Sequence, residues 1–294
     1  MSILTVHHKT VYRYAAPVHF GEHRLMLRPR DSHDLRLLDT ALVIRPAASV
    51  RWLHDVFGNS IAFASFREPS AELVFDSTFR AEQFAIPERA ITLEPHAQRY
   101  PFNYSAEELI DLGSTVDRCY PDPWGKIDTW ASWFVERDRN LDTVDMLSAV
   151  TRSIQYQFSY ARRDEMGTQD PIKTLETRSG NCRDFALFMM EAARSLGLAA
   201  RFVSGYLYDE QSIGAGGGLV GGGATHAWVQ IYLPGAGWTE FDPTNGLVGG
   251  RNLIRVAVVR DPSQALPLSG TFSGRPSDFL DMSVDVTVTA SQLP

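Results

Sequence analysis

Three residues of this 294-residue chain, Cys182, His226 and Asp242, have the types and order needed for nucleophilic acyl chemistry. Cys182 is one of only two cysteines and opens the largely apolar run "CRDFALFMMEAARSLG". On a helical wheel of about 100° per residue, Arg183, Asp184, Glu191, Arg194 and Ser195 share one polar arc, and Cys182 lies in the apolar remainder. Its sulfur is therefore expected to point into the protein. A small buried hydrophobe is one reading of such a cysteine. Position supplies another. The residue sits in the first helical turn, behind Ser179, Gly180 and Asn181, any of which can cap. Unpaired backbone N–H groups and the positive end of the helix dipole favour negative charge on sulfur there, and the same groups can stabilise an oxyanion.

A base must reach that sulfur. His7, His8, His19, His23, His33, His54 and His96 all lie in the first third of the chain. They lack metal-ligand spacing and read as ordinary residues of a β-rich region. His226 stands apart, at the head of "HAWVQIYLP". In a strand, His226, Trp228, Gln230 and Tyr232 share one face. After "PGAGW" the next strand carries Trp238, Glu240 and Asp242 at alternate positions. Pairing about a centre near Pro234 sets Gln230 opposite Trp238, Trp228 opposite Glu240 and His226 opposite Asp242. The carboxylate can then hold one imidazole nitrogen and leave the other for a thiol. Asp242-Pro243 also starts a turn-rich run, so a turn role is open for Asp242. One Cys, one His and one Asp can also form a three-ligand zinc site. Cys119, in "DRCYPDPWG", reads as structural.

The elements that would position these groups fall into two blocks. Residues 1–98 read as an N-terminal β-sandwich: short segments rich in β-branched and aromatic residues are separated by turn clusters, with a hairpin turn at Gly58-Asn59. Residues 99–294 read as a second domain. It has helices at "SAEELIDLGS", with a capping-box pattern of Ser105 and Glu108, and at "DTWASWFVERD", "TVDMLSAVTRSIQYQF" and the Cys182 segment. Strands at "ARFVSGYLY", "THAWVQIYLP" and "GWTEFDPT" follow, with strand-like segments again in the tail. The order is an α+β pattern, helices packed on an antiparallel sheet. The glycine-rich stretch 214–224 lacks the residues of a phosphate loop. It reads as a loop running into His226, with covering of a substrate as the sharper alternative.

A net charge of −7 without a basic stripe argues against nucleic acid and anionic membranes as partners. There is no signal-peptide pattern and no apolar run of membrane-spanning length. Two cysteines make no disulfide framework, so a cytoplasmic location is expected.

Four blocks resemble the transglutaminase-like superfamily, in particular its bacterial cysteine-hydrolase branch. They are "GNCRDFA", "GLAARFVSGY", "HAWVQIYLPGAGW" and "DPT". "YRYAAPVHFGEHRLMLRPR" with "HDVFGNSIAFASF" resembles the N-terminal β-domain of that branch, and "LIRVAVVRDPSQALPLSGTFSG" its C-terminal segment. The chain departs from the pattern in "VVRD", where a glycine usually precedes Arg-Asp, and in a longer glycine-rich insert before His226. The resemblance implies a papain-like transglutaminase core with Cys182 as nucleophile, His226 as base and Asp242 as orienter. It implies an oxyanion hole formed by the Cys182 N–H and a side chain, for which Tyr160 and Gln157 are the candidates. Gly205 and Tyr206 are given structural roles. The implied substrate is an amide bond of a peptide or isopeptide, with no cofactor and no metal; no calcium loop is visible. Hydrolysis is the expected outcome. Amine transfer and a non-catalytic peptide-binding module are the alternatives, and a homodimer is compatible.

Overall fold

The computed structural model describes residues 2–84, 91–135, 141–163, 167–209 and 219–292. Six strands form the N-terminal sandwich: β1 (Ser2–Phe20), β2 (His23–Arg28), β3 (Leu35–Arg45), β4 (Ala48–His54), β5 (Ser60–Phe66) and β6 (Ser70–Gln83). In one sheet β1 pairs with β6, and β6 with β3; in the other β5 lies between β2 and β4. Between the sheets pack Tyr14, Phe20, Leu25, Leu27, Leu73 and Phe75. The β4–β5 hairpin turns at the expected Gly58-Asn59, where Gly58 takes φ +74°, a region open to glycine without a Cβ penalty.

The helices follow: α1 (Ala106–Leu112), α2 (Lys126–Ser132), α3 (Thr143–Gln157), α4 (Pro171–Thr177) and α5 (Cys182–Ser195). Ser105 caps α1 and Glu108 closes the capping box, as the spacing predicts. The second sheet contains β7 (Ala200–Leu207), β8 (His226–Leu233), β9 (Gly237–Asp242), β10 (Leu247–Val248) and β11 (Leu253–Val259), in the antiparallel order β10-β9-β8-β7-β11. Ala227, Val229, Ile231 and Leu233 of β8 share one core with Phe185, Phe188 and Met189 of α5. The alternate residue Trp228 packs in a separate cluster with Val203 and Val258. The polar arc of α5 is not a solvent face. Asp184, Glu191 and Arg194 are buried. Glu191 meets Arg118 at 3.1 Å and Arg194 at 3.0 Å, and Asp184 meets Arg163 at 2.7 Å.

The tail divides. β11 joins the second sheet, whereas the last strand, β12 (Phe279–Gln292), runs antiparallel along β1 from Ser2 to Tyr14. Residues from both ends of the chain thus share one sheet. The face of that sheet carrying Leu4, Val6, Phe79 and Val286 packs on Tyr206, Ile254 and Val256 of the second sheet. Asn59 adds a pair of bonds to Val258, its Nδ2 donating to the carbonyl at 2.7 Å and its Oδ1 accepting the N–H at 2.8 Å.

The β8–β9 register differs from the expectation. Gln230 opposes Glu240 and Tyr232 opposes Trp238, so in this register Asp242 falls in line with Trp228, two residues short of the expected position opposite His226. The turn is centred at Gly235, not Pro234: Leu233 pairs with Gly237, and Gly235 takes φ +91°. A shift of two keeps strand parity, so His226 and Asp242 remain on one face as diagonal neighbours.

A buried histidine contact between the two units is titratable. His8 is buried, with Nδ1 at 2.8 Å from the Tyr206 hydroxyl and Nε2 at 2.9 Å from Thr10 Oγ1. Burial, assisted by the charge of His7, lowers its pKa from 6.5 to about 4. The fold holds a neutral ring. As pH falls below 6.5 the unfolded chain takes up a proton that the native state refuses, so stability declines until the native ring also protonates near pH 4. We expect this residue to account for about 3 kcal/mol of acid destabilisation across that window. Urea denaturation of wild type and His8→Gln from pH 7 to 4 should show a flatter pH dependence in the variant.

Candidate active site

The chemistry begins at the tip of α5. Asn181 caps the helix: its Oδ1 accepts the N–H groups of Arg183 at 3.0 Å and Asp184 at 3.2 Å, and Asp184 Oδ2 accepts the Asn181 N–H at 3.0 Å. This capping box does not use the N–H of Cys182. Ahead of it, Ser179-Gly180 pairs in parallel with Ser159-Tyr160. A Cβ at Gly180 would come within 2.8 Å of Asp184 Cβ, so the residue at this position must be small for the strand to approach the helix.

That parallel pair brings Tyr160 to Cys182. Burial, together with the nearby Cys182, raises the phenol pKa from 10.0 to about 12. It therefore remains an O–H donor at neutral pH. Gln157, the other candidate oxyanion donor, ends α3 as an exposed residue; the Tyr160 ring is itself 42% exposed but lies near Cys182. Gln155 is the glutamine that faces inward from α3, donating to the Asn245 carbonyl at 2.9 Å.

Cys182, His226 and Asp242 are all buried, at 7%, 1% and 0% exposure. His226 Nε2 lies 2.8 Å from Asp242 Oδ2. Its Nδ1 is buried without a conventional hydrogen-bond partner among the described residues. Burial pushes the His226 pKa down, but Asp242 and then the adjacent Cys182 outweigh it and hold the ring well above the ordinary 6.5. Burial would raise the Asp242 pKa, but His226, Asn245 and the Thr244 N–H bring it below the usual carboxylate value. The pair thus favours imidazolium and carboxylate. The turn role open for Asp242 is also filled: its Oδ1 accepts the Thr244 N–H at 2.9 Å, the geometry of an Asx turn.

Two neighbours were not anticipated from the sequence. Asn245 Nδ2 donates to Asp242 Oδ2 at 2.8 Å and to the Val220 carbonyl at 3.1 Å, while its Oδ1 accepts the Val220 N–H at 2.8 Å. One amide therefore ties the orienting carboxylate to the end of the glycine-rich stretch. Gly221 comes next, with φ +104°, and a Cβ there would lie 2.7 Å from His226 Nδ1. Of the glycine-rich stretch, residues 214–218 lie outside the described residues. The signal for Asn245 was only its place three residues after Asp242. Cys119 lies elsewhere, its Sγ contacting Arg260 Nη1 at 2.8 Å and Arg194 Nη1 at 3.1 Å. No cluster of three or more metal-ligating side chains occurs among the described residues.

Removing Asn245 leaves a buried carboxylate short of a donor. Asn245→Ala is expected to lose about 1–3 kcal/mol in urea denaturation. Gly221→Ala meets both backbone strain and the imidazole, and should slow alkylation of Cys182 by iodoacetamide when measured in a Cys119→Ser background.

Comparison with known proteins places the chain in a family. Residues 4–82 match the bacterial transglutaminase-like N-terminal region, and residues 135–243 match the transglutaminase-like superfamily model. Uncharacterized proteins of Mycobacterium leprae and Mycobacterium tuberculosis are similar over nearly their whole lengths. The first is 27% identical over 97% of this chain and 98% of its own; the second is 28% identical over 96% and 91%. A protein-glutamine gamma-glutamyltransferase of Pseudomonas aeruginosa is 39% identical over 69 residues, 24% of this chain and 10% of that protein. The crystal structure of a candidate cysteine protease from Cytophaga hutchinsonii superposes with a TM-score of 0.74 at 19% identity, covering 100% of this chain and 92% of that one, and so shares the fold. The chain belongs to the transglutaminase-like superfamily and carries the N-terminal region of its bacterial branch.

Proposed function

We propose that the protein is a cysteine-dependent acyl-transfer enzyme that hydrolyses amide bonds of peptides or isopeptides. The observation that supports this most strongly is the buried His226–Asp242 pair, with Nδ1 left unpaired and Cys182, at a helix N-terminus, among the groups that raise the ring's pKa. In this reading Cys182 Sγ attacks the carbonyl carbon. The developing oxyanion takes the Cys182 N–H and the Tyr160 hydroxyl. The His226 imidazolium gives its proton to the leaving amine as the C–N bond breaks, leaving a thioester on Cys182. Neutral His226 then takes a proton from water, which attacks the thioester; the acid departs as Cys182 leaves as thiolate, and the thiolate–imidazolium pair is restored. Asp242 keeps the ring oriented and remains ionised throughout.

The thioester is where hydrolysis and amine transfer diverge. The similarity to a gamma-glutamyltransferase, confined to 69 residues, supports amine as the alternative acceptor. Product masses from a mixed-peptide screen with and without a primary amine separate the two outcomes. Cys182→Ala should abolish turnover, and failure to do so would refute the proposal. His226→Ala should lower it by about 10²–10⁴-fold.

Tyr160→Phe distinguishes an oxyanion donor from a packing residue. Because alkylation of the thiol develops no oxyanion, the variant should lose turnover, by about 10²-fold or less, yet keep its iodoacetamide rate. An equal fall in both would assign Tyr160 a structural role.

The direction of the His226 shift fixes a pH dependence. Its proton is retained below the raised value, so the charge that favours a thiolate is present through neutral pH. Wild-type Cys182 should therefore alkylate readily at pH 6–7. In His226→Ala the rate should collapse there and recover only toward alkaline pH. Equal profiles for the two proteins would contradict the assignment of His226 as partner of the thiol.

A further inference from the structure

A second concavity lies away from the triad. It has a volume of about 520 Å³ and opens between the Arg30–Asp34 segment after β2 and the second sheet; Cys182, His226 and Asp242 do not line it. Its floor is a polar row across three strands, with Arg201 opposite Gln230 and Gln230 opposite Glu240.

The row leaves one cation under-used. Arg201 Nε donates to Gln230 Oε1 at 2.7 Å, and its guanidinium lies over the Trp238 ring at 4.0 Å from the centroid. The head is thus fixed in plane while its two terminal nitrogens have no protein acceptor among the described residues. The nearby carboxylates are already engaged. Glu240 Oε1 accepts Gln230 Nε2 at 2.6 Å and Arg255 Nη1 at 2.7 Å, and Glu240 Oε2 accepts the Trp228 indole N–H. Asp34 accepts Arg255 Nη2 at 3.0 and 3.1 Å and the Ser32 hydroxyl. Arg30, exposed at the mouth, has only a long contact of 3.4 Å to the Phe57 carbonyl. Formal charges balance, Arg30, Arg201 and Arg255 against Asp31, Asp34 and Glu240. Hydrogen bonding at the floor is less even: the Glu240 and Asp34 carboxylates are engaged, exposed Asp31 holds the Leu37 N–H, and the terminal nitrogens of Arg201 lack a protein acceptor among the described residues. Burial lowers the Arg201 pKa to about 10 against the pull of Glu240, with Arg255 and Arg30 adding to the fall.

We infer that this concavity binds a carboxylate-bearing ligand, held in the plane of the Arg201 guanidinium with Arg30 closing over it. A fixed guanidinium fork suits the two oxygens of a carboxylate, and the volume suits a small-molecule or short-peptide ligand. The inference does not depend on the proposed reaction, because binding here uses no triad residue. The carboxylate has two sources: a free small acid or the end of a peptide.

Isothermal titration calorimetry on the full-length Cys182→Ala protein tests this, using glutarate, a blocked tripeptide with a free C-terminal carboxylate, the same tripeptide as its C-terminal amide, and inorganic phosphate. Binding of at least one carboxylate probe is expected with a Kd of about 1 mM or tighter, weakened about tenfold or more by Arg201→Gln and several-fold by Arg30→Gln. Preference for glutarate identifies a free acid; preference for the tripeptide acid over glutarate identifies a peptide end. Arg30 is exposed, so its variant keeps the test valid if Arg201→Gln fails to fold. The inference is overturned by binding of phosphate alone, by equal binding of peptide acid and amide, by no binding of either carboxylate probe, or by affinities unchanged in folded Arg30→Gln.

Discussion

The structure depends on keeping one charged pair dry. His226 and Asp242 are almost completely buried 2.8 Å apart, a placement that is unfavourable unless the charges find partners. The partners come from the chain around Asp242: the Thr244 N–H and the Asn245 amide complete the carboxylate's donors. On the other side, Trp228 stacks on the imidazole with ring centroids 6.0 Å apart, and its indole N–H is held by Glu240. The ring is thereby confined on two sides, and Nδ1 is the nitrogen left for chemistry.

The same economy governs the nucleophile. Helix α5 is buried on both its apolar and its polar arcs, so its axis is fixed by Arg118 and Arg163 as well as by hydrophobic contacts. Asp184 serves twice, closing the cap and pairing with Arg163. A thiol at the end of so constrained an element has little freedom in its approach to the base, which is the preorganisation an acyl-transfer site needs. Gly180, Gly205 and Gly221 each stand where a side chain would collide with a neighbour, and Gly221 would collide with the base itself.

Residue type and strand parity were readable from the chain; long-range partners were not. The alternation in "HAWVQIYLP" and "GWTEFD" put His226 and Asp242 on one face, and this survived a register two residues away from expectation because parity repeats every two residues. A helical wheel finds the polar arc of α5 but cannot distinguish a solvated face from one satisfied by arginines 21 to 73 positions away. Likewise "DPTNG" shows a turn, while the contact of Asn245 with Val220 appears only once the chain has folded. Tyr160 and Gln157 could not be ranked until the parallel pair at Ser179-Gly180 carried one of them to the thiol. Pairing of the last strand with the first depends on residues separated by nearly the whole chain.

Asp242 and Cys182 together favour an imidazolium at His226. The most direct measurement is a ¹⁵N NMR titration of the histidine side chains, with His226 assigned through a His226→Gln variant, in wild type and Asp242→Asn. The imidazolium should persist well above pH 6.5 in wild type and become neutral at lower pH in the variant. A wild-type His226 that titrates as an ordinary imidazole, unaltered by loss of the carboxylate charge, would contradict it.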